Sequence, residues 1–435
     1  MKEYKLYLDQ LDLLVDSALK APTDIETATH IKNALDGQPT SELHRLVPAE
    51  HIQNSGAFFT GSKLTEKALK LLVKTIDDDS IILDPACGVG DLLITCASHL
   101  LRKRSPKGNF RVWSKQITGR DLHTEFIDVA RRRLTLTAIK AGILSSTKQY
   151  QLAKHPFPDI KVGCGLADTE AIWRATHIVT NPPFNLVKAP ESCEWSTGKV
   201  NAAALFLETC AVNARPGTRI TAILPDVLRS GSRYVKWRQK IESYAAIDRI
   251  ELHGRFDKWA DVDVFIADFI VRDGRKPLSS PNWKQPINIE NDCVSSRFDI
   301  HVGSVVDYRD AKKGPWHPFI ISHGLPKWCT VYDVPKMRRF SGTVFPPPFV
   351  VVRRNSRVRD KHRAIGTIIN VSRSVAVENH LLVLSPKDKT VKSCQDLLRN
   401  FKMQETKEWL DQYMRCKHLT ISALSNLPWW RKNDA

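Results

Sequence analysis

Apolar positions change their period several times along the chain. Over 3–35, Leu6, Leu8, Leu11, Leu14, Val15 and Leu19 recur at three- and four-residue spacings, a pattern that predicts helix. Residues 64–75 (LTEKALKLLVKT) predict a second helix, with Leu64, Ala68, Leu71 and Leu72 on one face. From residue 80 onward, strand-like and helix-like runs alternate. Strands are expected at 80–86, 116–121, 177–181 and 219–225, and helices at 91–103, 125–142, 202–214 and 232–244. AIDRIELH (246–253) and DVFIADFIVRD (264–273) read as a hairpin-like pair. Alternation of this kind argues for a parallel sheet covered on both faces, with antiparallel strands late at one edge.

The text changes at 273–286, where DGRKPLSSPNWKQP is punctuated by Gly, Pro and Ser and predicts a domain boundary. Beyond it lie short β-rich runs at 347–354, 364–372 and 379–386, then helical pieces at 396–401 and 407–416. Three regions are expected: a helical N-terminal segment (1–50), a catalytic domain (51–275) and a basic C-terminal domain (276–435). The sequence has no internal repeat.

Charge sharpens this division. The chain of 435 residues carries a net charge of +18, and residues 301–435 hold 24 Lys and Arg against 11 Asp and Glu. A basic C-terminal third suggests a polyanion partner, most simply nucleic acid. The nine cysteines (87, 96, 164, 193, 210, 293, 329, 394 and 416) form no CxxC pair. An odd number of scattered thiols fits a reducing cytosol without a disulfide frame or structural zinc. The opening MKEYKLYLDQLDLL is charged and lacks an apolar signal core. No apolar run approaches the roughly 18 residues a bilayer span needs. A soluble, cytoplasmic protein without a membrane partner is expected.

Three stretches carry candidate chemistry. LDPACGVGD (83–91) follows an apolar strand and opens a helix, and Gly88 and Gly90 permit a tight turn close to a ligand. Its spacing is neither GxGxxG nor GxxxxGK[ST], so neither a dinucleotide nor an ATPase-type phosphate loop is indicated. Asp84 and Asp91 would suit a cationic ligand with an amino-acid end better than a phosphate. GRDLHTEF (119–126) ends a strand on Asp121, where an acid can accept hydrogen bonds from ribose hydroxyls or cap the next helix. THIVTNPPFN (176–185) ends a strand on Asn181, followed by Pro182 and Pro183. The prolines fix an extended, stiff turn. Asn181 and the Pro182 carbonyl offer two acceptors, and Phe184 offers a flat ring. Together they match a planar group bearing an exocyclic amine.

These elements resemble the N6-adenine DNA methyltransferases that use S-adenosylmethionine. DPACGVG looks like their methionine-binding motif and NPPF like their catalytic motif. SGAFFTGSKLTEKALKLL (55–72) resembles the segment that precedes the cofactor loop in the gamma-ordered subgroup. That motif order is similar to modification subunits of type I restriction systems and to type II enzymes with a fused recognition domain. CKHLTISALSNLPWW (416–430) resembles the closing phrase of their target recognition domains. The resemblance implies a Rossmann-like α/β methyltransferase fold with a small helical N-terminal segment and a C-terminal α+β domain. It implies cofactor contacts by Phe59, Thr60, Asp84, Pro85, Ala86, Cys87, Gly88, Gly90 and Asp121, with Asp168 of VGCGLADTE facing the cofactor adenine. It makes Asn181, Pro182, Pro183 and Phe184 catalytic. Departures from the pattern are Gly61 after Phe-Thr, Val89 between the glycines, and His177 where an acid is usual.

By that resemblance, Asn181 and the Pro182 carbonyl accept the two amine hydrogens of a flipped-out adenine, and Phe184 stacks on it. The basic part holds double-stranded DNA, with VVRRNSRVRDKHR supplying Arg353, Arg354, Arg357, Arg359, Lys361 and Arg363. Alternating residues of a strand face opposite ways, so these cannot all point to one side. No carboxylate pair followed by lysine marks a nuclease, so the chain is expected to modify and not to cut. A specificity or restriction subunit is a possible partner, in a restriction-modification or phage-defence setting. Two other readings stay open: methyl transfer to RNA or a protein glutamine, and a non-catalytic DNA-binding or assembly subunit.

Overall fold

The structure, a computed structural model, describes residues 2–21, 24–55, 59–103, 110–152, 156–257, 261–274, 283 and 292–430. The expected boundary between 275 and 276 and the first phenylalanine of the Phe-Phe-Thr segment, Phe58, lie outside these residues. The chain divides into two compact units: Met1–Leu228 with Val235–Pro281, and Arg229–Tyr234 with Asn282–Ala435.

The first unit is built on a seven-stranded sheet. Its early strands are Ile82–Asp84 (β1), Ile117–Asp121 (β2), Ile160–Val162 (β3) and His177–Thr180 (β4). A small hairpin, Leu186–Lys188 (β5) with Lys199–Asn201 (β6), stands apart from the sheet. Arg219–Pro225 (β7), Ala245–Arg255 (β8) and Asp263–Val271 (β9) complete it in the order β3-β2-β1-β4-β7-β9-β8. Strands β3, β2, β1, β4 and β7 run parallel, and β9 and β8 add antiparallel at one edge. Every residue of β7 after Arg219 is buried, as a strand covered on both faces requires.

The order of connections reverses between β1 and β4. In an open parallel sheet this opens a crevice at the carboxyl ends of the strands. The loops after β1, β2 and β4 lead into that crevice, and they carry the three stretches singled out above. β3 escaped the periodicity reading because it is three residues long and leaves two of them exposed at the sheet edge.

The N-terminal helices share the core of this sheet. Tyr4, Tyr7, Leu11 and Val15 are buried in one cluster with Phe59, Phe126 and Leu134. Tyr4 and Phe59 each meet Phe126 edge-on or nearly so, with ring centroids 5.7 and 5.2 Å away. Asp12 pairs with Arg132 at 2.7 Å on the helix Thr124–Lys140.

The second unit is α+β. Its strands are Phe298–Val302 (β10), Trp316–Ile320 (β11), Thr330–Val331 (β12), Met337–Arg339 (β13), Phe349–Arg353 (β14), Gly366–Ile369 (β15), Ala376–Val377 (β16) and Leu381–Pro386 (β17). Five form a sheet in the order β10-β17-β14-β15-β12, and β13-β11-β16 form a smaller one. Alternation along β14 divides two cores. Val350 and Val352 pack with Leu397, Phe401 and Trp409 of the helices Val391–Lys402 and Gln404–Tyr413. Phe349 and Val351 face the opposite way, with Ile369, Leu381 and Val383. The closing segment belongs to the first of these cores through Leu419, Leu424 and Leu427, and Thr420 caps its short helix.

Candidate active site

One cavity lies at the carboxyl edge of the first unit's sheet. The loop after β1 contributes Pro85, Ala86 and Gly88, and the end of β2 contributes Asp121 with Leu122 and His123. The loop after β3 brings Gly163, Cys164 and Gly165, the turn after β4 brings Asn181 and Pro183, and Phe59, Phe126 and Phe206 complete the wall.

Two glycines make the wall possible. Gly88 has φ +50°, in the left-handed region, and a Cβ there would lie 3.4 Å from the Phe59 ring. At Gly165 a Cβ would fall 1.9 Å from the Pro85 carbonyl, so any side chain would push the third loop off the first.

Asp121 is the carboxylate that faces the cavity. Its oxygens accept the backbone N–H of Gly88 at 3.1 Å and of His123 at 2.9 Å. Burial pushes its carboxyl above the usual range, against the pull of those N–H groups. Asp84 sits beneath the loop, fully buried, and its carboxylate accepts the Ala86 N–H at 3.0 Å. Burial pushes this group up strongly. Asp84 therefore shapes the loop without lining the cavity. Cys87 and Gly90 likewise lie outside the lining; Cys87 is buried, and Gly90 packs against Ala130.

Asp91 is not among the lining residues either. One of its oxygens accepts from Arg133 at 2.8 Å, and the other accepts the N–H groups of Thr60 and Gly61 at 3.0 and 3.2 Å. Arg133 has a side chain with 0% exposure, and it also donates to the carbonyls of Val89 at 2.6 Å and Ala34 at 2.7 Å. A buried charge held this way needs each of these partners. The network ends at the catalytic candidate, because the Thr60 hydroxyl accepts from Asn181 Nδ2 at 3.1 Å. That bond fixes the amide orientation, with Nδ2 turned to Thr60 and Oδ1 as the acceptor end of the side chain.

The turn after β4 is held from its far side. Asn201 Nδ2 donates to the Phe184 carbonyl at 2.8 Å, while its Oδ1 caps the helix Ala202–Asn213 by accepting from Ala203. Pro182 is buried and Phe184 half-buried, and neither lines the cavity. The Phe184 ring stands edge-on to Phe256, with centroids 5.6 Å apart.

Asp168 is not among the residues that line this cavity. Its carboxylate pairs with Arg120 at 2.7 Å and caps the helix Thr169–Arg174 through the Ala171 N–H. Burial would raise this carboxyl, but the Ala171 N–H and Arg120 hold it below the usual range. Gly163, Cys164 and Gly165 occupy the wall instead. The glycine pair in VGCGL was the available sign, whereas nothing local marked Phe206 or Phe126.

The basic run in the second unit splits. Arg363 is a core residue with a side chain of 0% exposure, paired with Asp411 at 2.6 Å and bonded to Ser356 and to the carbonyls of Met414 and Cys416. It is not available to DNA, because the cost of burying its charge is met by these fixed partners. Arg353 donates to the Leu325 carbonyl at 2.6 Å, and Arg354 to that of Asn379 at 3.1 Å. Arg357 is half-buried; Arg359 and Lys361 are exposed.

Residues 45–248 match the family model described as N-6 DNA Methylase. No curated protein matches the sequence. Among solved structures, the type IIL restriction-modification enzyme MmeI in complex with DNA aligns with a TM-score of 0.50 at 13% identity, over 88% of this chain and 65% of that one. The type IIG restriction endonuclease BpuSI aligns with a TM-score of 0.47 at 15% identity, over 90% of this chain and 61% of its own. The M protein of the type I restriction enzyme EcoKI aligns with a TM-score of 0.37 at 16% identity, over 62% and 55%. The chain thus spans between about half and two thirds of the length of these three structures. The first of them carries the fold assignment.

Proposed function

We propose that this chain, whose residues 45–248 match the N-6 DNA methylase family, is a DNA methyltransferase that modifies the N6 amine of adenine. The observation supporting this reading is convergence. Asn181 and Pro183, the glycine loop after β1, and Asp121 at the end of β2 are far apart in sequence and line one cavity.

The cavity suits S-adenosylmethionine. Its walls are apolar at Phe59, Phe126 and Pro85, it carries one carboxylate acceptor at Asp121, and Gly88, Gly163 and Gly165 expose backbone along it. When bound, the cofactor supplies a methyl group on a positively charged sulfur. Asp121 would hold the ribose hydroxyls, and the backbone of Gly163–Gly165 would border the base.

The adenine amine is a weak nucleophile because its lone pair is spread into the ring. Asn181 Oδ1 and the Pro182 carbonyl would each accept one N–H. That arrangement favours a pyramidal nitrogen with its lone pair turned to the methyl. Thr60 would keep the Asn181 amide in this sense. Holding the two groups in line supplies much of the rate. The acceptors stabilise positive charge as it develops on nitrogen. The proton leaves after the amine has become cationic, so no strong base is required. An adenine inside a duplex is out of reach, and extruding it costs a few kcal/mol. Phe184 would stack on the extruded base.

Expression in a host without adenine methylation, followed by modification-sensitive sequencing, tests this reading. Methyl-adenine at one short motif, absent with Asn181→Ala, is the expected result. Equal signal from both proteins would overturn the site, and methylation confined to RNA or protein would overturn the substrate.

A further inference from the structure

The second unit holds a cavity of its own, about 400 Å3 in volume, bordered by Trp328, His362, Lys327, Arg353, Lys361 and Asn355. A site of that size suits a small organic group. Trp328 is held in an unusual backbone conformation with φ +61°. For a bulky residue that is a true outlier, and it persists only where the surroundings enforce it. Here the Trp328 N–H donates to the Gly366 carbonyl at 2.9 Å, and the neighbouring Pro326 carbonyl accepts from the Thr367 hydroxyl. His362 stands edge-on to the indole, with ring centroids 5.2 Å apart, and Lys402 Nζ lies 5.3 Å from the indole centroid.

The charges around this ring are one-sided. Lys327, Arg353, Lys361 and Lys402 form no ion pair among the described residues, whereas Arg363 in the same wall is neutralised by Asp411. The single acid of the wall, Asp360, accepts the Arg357 N–H at 2.7 Å through one oxygen, and the cations around the ring outnumber it. Burial, then Lys361 and Lys402, lower the His362 pKa, which favours the neutral ring that can accept as well as donate. Asn355 adds an exposed amide of the kind that reads base edges.

We infer that this cavity takes a nucleotide outside base pairing, its base against Trp328 and its phosphate among Lys327, Lys361 and Lys402. A bare phosphate would leave the aromatic wall unused. A paired duplex would present its phosphates while its bases stayed stacked on one another. Alternating cations and an aromatic platform are the means by which unpaired nucleotides are held. The inference rests on the second unit alone and stands or falls independently of methyl transfer.

Equilibrium binding to the full chain, without cofactor, tests it with three probes: thymidine monophosphate, a duplex with one unpaired thymidine, and the same duplex fully paired. Thymidine has no 2′-hydroxyl and thymine no exocyclic amine, so neither the ribose contact proposed for Asp121 nor the amine contact proposed for Asn181 is being probed. The unpaired duplex should bind about tenfold more tightly than the paired one. Trp328→Ala should abolish that preference, Trp328→Phe should keep it, and Lys361→Ala, at an exposed position, should weaken both duplexes. If thymidine monophosphate binds with the same dependence on Trp328, the source is a free nucleotide; if only the unpaired duplex does, the source is nucleic acid. Identical affinity for the two duplexes with no binding of the mononucleotide would overturn the inference. So would a preference that survives Trp328→Ala. Should Trp328→Ala fail to fold, Trp328→Phe and Lys361→Ala still decide: unchanged affinity for every probe in Lys361→Ala overturns the phosphate assignment.

Discussion

Charged side chains meet opposite ends in the two units. Around the first cavity, Asp84, Asp91 and Asp168 are each consumed by backbone N–H groups or by an arginine, and Asp121 alone faces the space a ligand would fill. In the second unit Arg363 is consumed in the same way, but Arg359, Lys361 and Lys402 stay exposed and outside ion pairs among the described residues. A charge drawn into a core must be matched there, so it becomes part of the fold and is lost to ligands. A charge left on the surface stabilises little, and it remains available to a partner.

The largest effects should fall on the matched charges. Arg133→Met takes its arginine from Asp91 and should cost about 3–5 kcal/mol of stability, and Arg363→Met, which leaves Asp411 paired with Lys407, somewhat less, both read by denaturant unfolding. If Arg363→Met instead left stability intact and flattened the salt dependence of DNA binding, the contrast between the two units would break. Next comes Asn181→Ala, expected to slow methyl transfer by about 10²–10³-fold, the loss seen when one polar group that stabilises a transition state is removed. Cofactor affinity should be retained, and single-turnover assays beside cofactor titration would separate the two quantities.

Thr60→Val should lower kcat about tenfold by releasing the Asn181 amide, with Thr60→Ser restoring it. An equal loss in both variants would reduce Thr60 to a packing residue. Acidification offers a gentler probe. Burial raises the Asp121 carboxyl, and its ionised form is the acceptor, so cofactor affinity should begin to fall above the ordinary carboxylate range as pH drops. For folding the sign reverses: the contribution is present at low pH and lost as pH rises through the raised pKa. Asp121→Asn should bind weakly and without this pH dependence. Smallest of all, Arg359→Ala and Lys361→Ala should each reduce the salt slope of DNA binding by about one, with little change in stability.

Several local rules were readable from one-dimensional text. The alternation over 80–273 anticipated the parallel sheet and its antiparallel edge, because a covered strand and its covering helix impose different apolar periods on neighbouring segments. DPACGVG, the acid ending β2 and NPPF stood out because tight turns at strand ends demand glycine and proline. Elements escaped where that demand was weak, as in the short edge strand β3 and the two-residue strands β12 and β16.

What the sequence determined by itself was therefore the order of elements and the three turns that approach one another at the strand ends. Which carboxylate faces the cavity was decided only in three dimensions. Asp121 and Asp168 are alike in chemistry, yet Arg120 reaches one and leaves the other. Arg363 and Lys361 stand two residues apart in one basic run, yet Asp411 neutralises the first from 48 positions along the chain. Partners so distant leave no period and no local motif. The side chain they claim is set by packing and by the cost of burying a charge alone.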